Sequence, residues 1–143
     1  MVDIMVVLSV ISLYMKATHA LLPWAPLIAR VLVGGTFVLS GINKLQNFDA
    51  MVGVAQAAGI PSPEIAIVLA LVVELLGGLS VMLGYRIFWG ALGLLVFTVL
   101  TSFIFHADFA DPMQKVLFTK NMGIAAALLY MTRFGAGKMA VEK

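Results

Sequence analysis

Apolar residues gather in four stretches, 27–45, 65–83, 87–105 and 116–132, with polar or turn-forming residues between them. A helix needs about 20 residues to cross the hydrocarbon of a bilayer, so each stretch reads as one short transmembrane helix. Pro23 and Pro26 precede the first stretch, and Pro61 and Pro63 the second. Proline suits a helix start because the first turn has no partner for the N–H it lacks. Between the first two stretches Phe48, Met51, Val52 and Ala55 recur at helical spacing, and Gly59 stands where a C-terminal cap belongs. That pattern predicts a short amphipathic helix on the membrane surface, lying as a lid over one end of the bundle. Gly84-Tyr85-Arg86 reads as a tight connection, and 108–115 as a longer one containing Pro112. A further apolar run, Ile4 to Tyr14, is too short to span and is expected to form an interfacial or partner-contacting helix.

The expected fold is therefore all-α: an integral membrane four-helix bundle with an N-terminal interfacial helix and a short amphipathic helix between spans 1 and 2. It divides into an N-terminal segment, 1–24, a four-helix domain, 25–133, and a tail, 134–143.

Composition fixes the solvent. Of the 143 residues 62% are hydrophobic and 11% charged, against about half and about a quarter in a soluble domain. So much apolar surface cannot be hidden in a soluble core of this size, and the lipid bilayer is the first partner implied. The net charge is +2 and the basic residues are scattered singly, which excludes the clustered footprint of a nucleic-acid binder. With no cysteine, thiolate chemistry, sulfur-ligated metals and iron–sulfur clusters are excluded, so any redox centre must be borrowed. No basic residue precedes the Ile4 to Tyr14 run, and Thr18-His19-Ala20 is only a weak cleavage-like site, so a secretory leader is not expected.

Lys16, Arg86, Arg133, Lys138 and Lys143 fall on one side of the four spans, while Asp49, Glu64, Asp108 and Asp111 fall with Lys115 on the other, where Lys44 and Lys120 also stand near the helix ends. The positive-inside rule then places both termini in the cytoplasm. Three pairs of small residues four apart, Thr36 with Ser40, Ser80 with Gly84 and Gly123 with Ala127, are expected at helix contacts.

Within the spans the polar residues separate by depth. Arg30, Gly34, Phe37, Gly41 and Lys44 follow one another at spacings of 4, 3, 4 and 3, which puts them on one face that must look into the bundle. Lys44 lies near the outer end and reads as an interfacial anchor with room to snorkel. Glu74 lies near mid-span, beyond the reach of snorkelling, with Arg30, Thr36, Ser40 and Lys120 as candidate partners. Ile67, Ala70, Leu71, Gly77, Gly78 and Val81 share its face. Arg30 and Glu74 are accordingly expected as buried polar pairing. Asn43, Lys44, His106, Gln114, Lys120 and Asn121 fall near the outer surface and are the candidates for ligand or quinone binding, offering donors to a quinone carbonyl or an anionic group. His19 and His106 fall on opposite sides, which argues against one bis-histidine haem, and no third ligand stands beside Glu74 to hold a metal.

The ordered set Arg30, Gly34, Phe37, Ser40-Gly41 and Lys44, then Gly59-Ile60-Pro61, Glu74-Leu75-Leu76-Gly77-Gly78, Gly84, Phe105-His106, Gln114 and Lys120-Asn121 resembles the DoxX family from about Arg30 to Tyr130. The resemblance implies a small four-helix protein of the bacterial inner membrane, in a family named for a subunit of thiosulfate:quinone oxidoreductase. The chain departs from the family in its first 25 residues and in Met122 to Ala127, where paired glycines are common in relatives.

The resulting expectation is a non-catalytic membrane subunit that docks or stabilises a quinone-linked oxidoreductase or respiratory complex. It contacts a protein partner through the N-terminal helix, carries no covalently bound cofactor, and binds a quinone or a lipid. The alternative is a small transporter or lipid-handling protein with Glu74 as its protonatable site. Against it stand the absence of an internal repeat and the little room that four short spans leave for alternating access.

Overall fold

A computed structural model describes residues 4–142, and the side chains of all of these but 17 and 19–21. Residues 1–3 and 143, and the side chain of His19 invoked against a haem, lie outside the described residues. The described chain is all helical: α1 (Ile4–Leu21), α2 (Ala25–Gln46), α3 (Phe48–Ala57), α4 (Pro63–Leu83), α5 (Ile87–Phe105) and α6 (Pro112–Phe134).

Three of these helices, α2, α4 and α5, are long and apolar enough to cross a membrane. The fourth expected span, α6, is 23 residues long and starts four residues earlier than its apolar run. Asp111 explains the early start: its Oδ1 accepts the Met113 N–H at 2.8 Å, and Pro112 takes the first helical position. The amphipathic lid helix is α3, closed by Gly59 at φ +74°. The Ile60 N–H donates to Ala55 O and the Gly59 N–H to Gln56 O, a Schellman closure that only a left-handed residue permits cheaply.

Helix α4 is the centre of the packing, with α2 on one side and α5 on the other, α6 lying along α5 and the lid α3 on α4. Four of the five residues on the expected inward face of α2, Arg30, Gly34, Phe37 and Gly41, are its buried residues. Two glycines make that approach possible. A Cβ on Gly34 would come within 2.6 Å of Gly78 O, and one on Gly78 within 2.9 Å of Gly34 O, so α2 and α4 cross backbone to backbone. Of the expected small pairs, Gly123 faces open space instead.

Helix α1 runs seven residues past Tyr14 because nothing breaks it before Pro23, and the Thr18 hydroxyl donates back to Tyr14 O and Met15 O inside the helix. Among the described residues it contributes no side chain to either core cluster, and its apolar residues from Ile4 to Met15 stay exposed.

The segment after α6 does not trail away. Gly135 and Gly137 turn it back in positive φ, Ala136 is buried, and the Val141 N–H donates to Leu83 O at 3.1 Å. Glu142 accepts the Arg86 backbone N–H at 2.8 Å. The tail thus straps the end of the bundle opposite the lid.

Candidate functional site

Because α2 and α4 run antiparallel, side-chain lean decides which charges meet. Every helical Cβ tilts toward its own N-terminus. Lys44 therefore leans down α2, away from the lid end, while Glu74 leans up α4 toward it, and the two close on each other. Lys44 Nζ lies 2.9 Å from Glu74 Oε1, with their side chains 19% and 4% exposed. Ser40, one turn below Lys44, completes a triangle: its hydroxyl donates to Glu74 Oε1 at 3.0 Å and accepts from Lys44 Nζ at 2.9 Å.

Arg30 leans the same way down α2 as Lys44, and from its position this carries it away from Glu74. It sits ten residues before Ser40, about 15 Å along the axis, and its guanidinium reaches the far end of α4, where Nη1 donates to Met82 O at 3.3 Å and Nη2 to Met139 O of the tail. A cation satisfying the last carbonyls of a helix is favoured by both hydrogen bonding and the helix dipole. Gly84 leaves the space: α4 ends in a second Schellman closure there at φ +68°, and a Cβ at this position would strike Arg30 Nη1. Arg30 and Glu74 are both buried, at 1% and 3% exposure, but each is held by its own partners. The sequence reading missed Lys44 for Glu74 because it sent that lysine outward to snorkel, and missed the tail for Arg30 because residues 134–143 were set apart from the bundle as a tail.

Helices α2 and α6 barely touch, and the splay between them leaves a chamber of about 410 Å³. Thr36, Ser40 and Lys44 line it from α2, Glu74 from α4, Thr98, Thr101 and Phe105 from α5, His106 from the end of α5, and Lys120 and Asn121 from α6. Four of the six outer candidates, Lys44, His106, Lys120 and Asn121, thus meet in one space, and Glu74 joins them. Gln114 stands behind His106, with its Oε1 2.7 Å from His106 Nδ1. Asn43 is not part of the lining; it is exposed, and its Oδ1 accepts from Asn47 Nδ2 at 3.0 Å.

A second, apolar cavity of about 680 Å³ lies beneath the lid, between α3, the start of α4 and α5. Met51, Val54, Ile60, Ile67, Leu100 and Ile104 are among its walls, and it shares Lys44, Phe97, Thr101, Phe105 and His106 with the polar chamber. A polar space with charged donors therefore adjoins an oily one across a common wall. Such a pair suits an amphiphile with a small polar head and an apolar tail. Among the described residues no group of histidine and carboxylate side chains could hold a metal ion.

The DoxX family profile matches residues 25–107, from the start of α2 to just past His106. The inner membrane protein YqjF of Escherichia coli (strain K12) is 30% identical, over 82% of this chain and 88% of its own. The inner membrane protein YphA of the same organism is 29% identical, over 82% and 87%. No solved structure matches the chain.

Proposed function

This chain is a membrane protein of the DoxX family, and we propose that it is a non-catalytic subunit of the bacterial inner membrane that binds a quinone beside a membrane-associated oxidoreductase. One observation carries the proposal: the polar chamber around Lys44, Glu74, His106 and Lys120 adjoins the apolar cavity under α3 and shares five lining residues with it. A quinone head fits hydrogen-bond donors at Lys120 and Asn121, and an isoprenoid tail fits the space beneath the lid. Lipid binding is the competing occupancy of the same two spaces.

In this reading α6 crosses the membrane as the fourth span, and both termini face the cytoplasm. Helix α1 is the docking element, since its apolar side chains from Ile4 to Met15 are exposed and, among the described residues, lie outside the core clusters of the bundle. The deciding experiment is mass spectrometry of protein released gently from its native membrane. A bound quinone, or a co-purifying oxidoreductase lost on deletion of residues 1–20, supports the proposal; neither one overturns it.

The transporter alternative draws less support. Glu74 is engaged by Lys44 and Ser40, an arrangement suited to a fixed site. Proton-coupled flux in proteoliposomes that disappears in Glu74→Gln would favour the transporter instead.

A further inference from the structure

A groove of about 310 Å³ runs along the outer surface of α4 and α5, and it shares no lining residue with the polar chamber or with the apolar cavity under the lid. Its floor is a close helix approach. A Cβ on Gly90 would strike Ser80 Oγ, and one on Gly77 would meet Leu94 and come within 3.4 Å of Gly90 O, so little side chain separates the two helices there. The Ser80 hydroxyl spends its hydrogen on Tyr85 O at 2.6 Å, so the floor offers no free hydroxyl hydrogen. At the deep end nothing lies within 4 Å of where a Cβ on Gly93 would stand, and Val72 and Leu76 are exposed in the wall. At the other end stand Arg86 and Trp89, both exposed and both in the lining. Seven residues separate Arg86 from Gly93, about 10 Å along α5, so the groove leads from the turn at the tail end inward along the spans.

We propose that this groove holds a phospholipid with a net negative headgroup, its phosphate on the Arg86 guanidinium and one acyl chain laid along Gly90 and Gly93. The guanidinium is free to take it. Glu142 Oε1 stays 3.9 Å from Arg86 Nε, while Oε2 of the same carboxylate serves the Arg86 backbone N–H at 2.8 Å, so the arginine side chain donates no hydrogen bond among the described residues. A guanidinium fork matches phosphate oxygens in pairs, and Trp89 beside it suits the headgroup level of a bilayer. Basic pockets between transmembrane helices take anionic headgroups for this reason. A zwitterionic lipid brings the same phosphate together with a cation, and that cation meets the positive excess which Arg133 and Lys138 add at the tail end. The net charge of the head is therefore what the site reads, and the apolar groove takes the chain whichever head it carries. Phospholipid lines both faces of a bilayer, so the site does not depend on which way the protein is inserted or on what fills the chamber.

The test is native mass spectrometry of the full-length protein in detergent, titrated with phosphatidylglycerol and with phosphatidylcholine of the same acyl chains. Phosphatidylglycerol is expected to bind about fivefold more tightly, the worth of one arginine near an anionic surface. Arg86→Gly should abolish that preference without lowering the thermal midpoint, because Arg86 sits at φ +49°, a conformation that glycine adopts more easily than any other residue. Gly93→Leu, whose side chain enters open space, should weaken both lipids alike by filling the path of the chain. Equal binding of the two lipids by the unaltered protein overturns the proposal. A preference that persists in Arg86→Gly moves the lipid to Arg133 or Lys138 and overturns the assignment to this groove. A dimer in lipid-free detergent that Gly93→Leu abolishes gives the groove to a helix of a second copy and overturns it as well.

Discussion

Lys44 Nζ and Glu74 Oε1 stand 2.9 Å apart inside the membrane domain, joined by the Ser40 hydroxyl. The pair ties the lid end of α2 to the middle of α4 and forms the floor of the polar chamber. Removing either charge strands the other in a low-dielectric site, which costs about 3 kcal/mol or more for buried pairs, whereas replacing both by apolar groups of similar size is often close to neutral. Lys44→Met and Glu74→Met alone should each lower the unfolding midpoint in detergent markedly, and the double variant should recover more than half of the loss. Additive losses would show that the two residues act separately.

The crossing of α2 and α4 depends on Gly34 and Gly78, each of which has the other's backbone within 3 Å of where a Cβ would stand. Backbone cannot move aside as a side-chain tip can. Gly78→Val is expected to destabilise by about 3 kcal/mol, at the upper end of overpacking costs, or to prevent accumulation of folded protein. Gly123→Ala, which meets open space, should be silent or slightly stabilising through helix propensity. Comparing yield and thermal midpoint of the two variants checks the contrast.

Much of this fold is written in its apolar periodicity. The third stretch, 87–105, coincides with α5, and the inward face of α2 follows from spacings of 4, 3, 4 and 3 alone. Less legible are the features that need two helices at once. The depth of Glu74 shows that it requires a partner, but which partner depends on antiparallel lean, and that lean brings Lys44 down toward Glu74 and carries Arg30 away from it. Merging Glu74 with His106, Lys120 and Asn121 into one chamber depends on α2 and α6 standing apart, which no single-helix pattern encodes. The lid survives reading because α3 signals itself locally, through its amphipathic spacing and Gly59. The folded-back tail has no such local signal beyond Gly135 and Gly137: Val141 and Glu142 bond main-chain groups of Leu83 and Arg86, and Met139 O accepts from Arg30 over a hundred residues earlier, pairings that sequence does not display.

That tail should matter more through Arg30 than through its own ion pair. Arg86 and Glu142 are 3.9 Å apart and 64% and 47% exposed, so the charge interaction is worth well under about 1 kcal/mol. Arg30 is buried, and Met139 O is one of its two acceptors. Ending the chain at Phe134 is therefore expected to lower the thermal midpoint far more than Glu142→Gln does. Arg30→Met in the truncated chain should recover part of the loss, because it removes the cation that truncation strands.

The tail also supplies a test of topology. Glu142 accepts from the Arg86 backbone, so the 84–86 turn and the tail lie at one end of the bundle. That end collects Arg86, Arg133 and Lys138, while Asp49, Glu64, Asp108 and Asp111 sit with the lid and the α5–α6 loop at the other. Basic residues near span ends are retained in the cytoplasm, so the tail end should face inward and the chamber should open toward the outer side. The chain has no cysteine, and single cysteines can therefore be read without background. In intact cells an impermeant maleimide is expected to label Asp108→Cys readily, and Lys138→Cys only after the membrane is opened. The reverse pattern would invert the topology and place the chamber on the cytoplasmic side, where a quinone would meet a different set of redox partners.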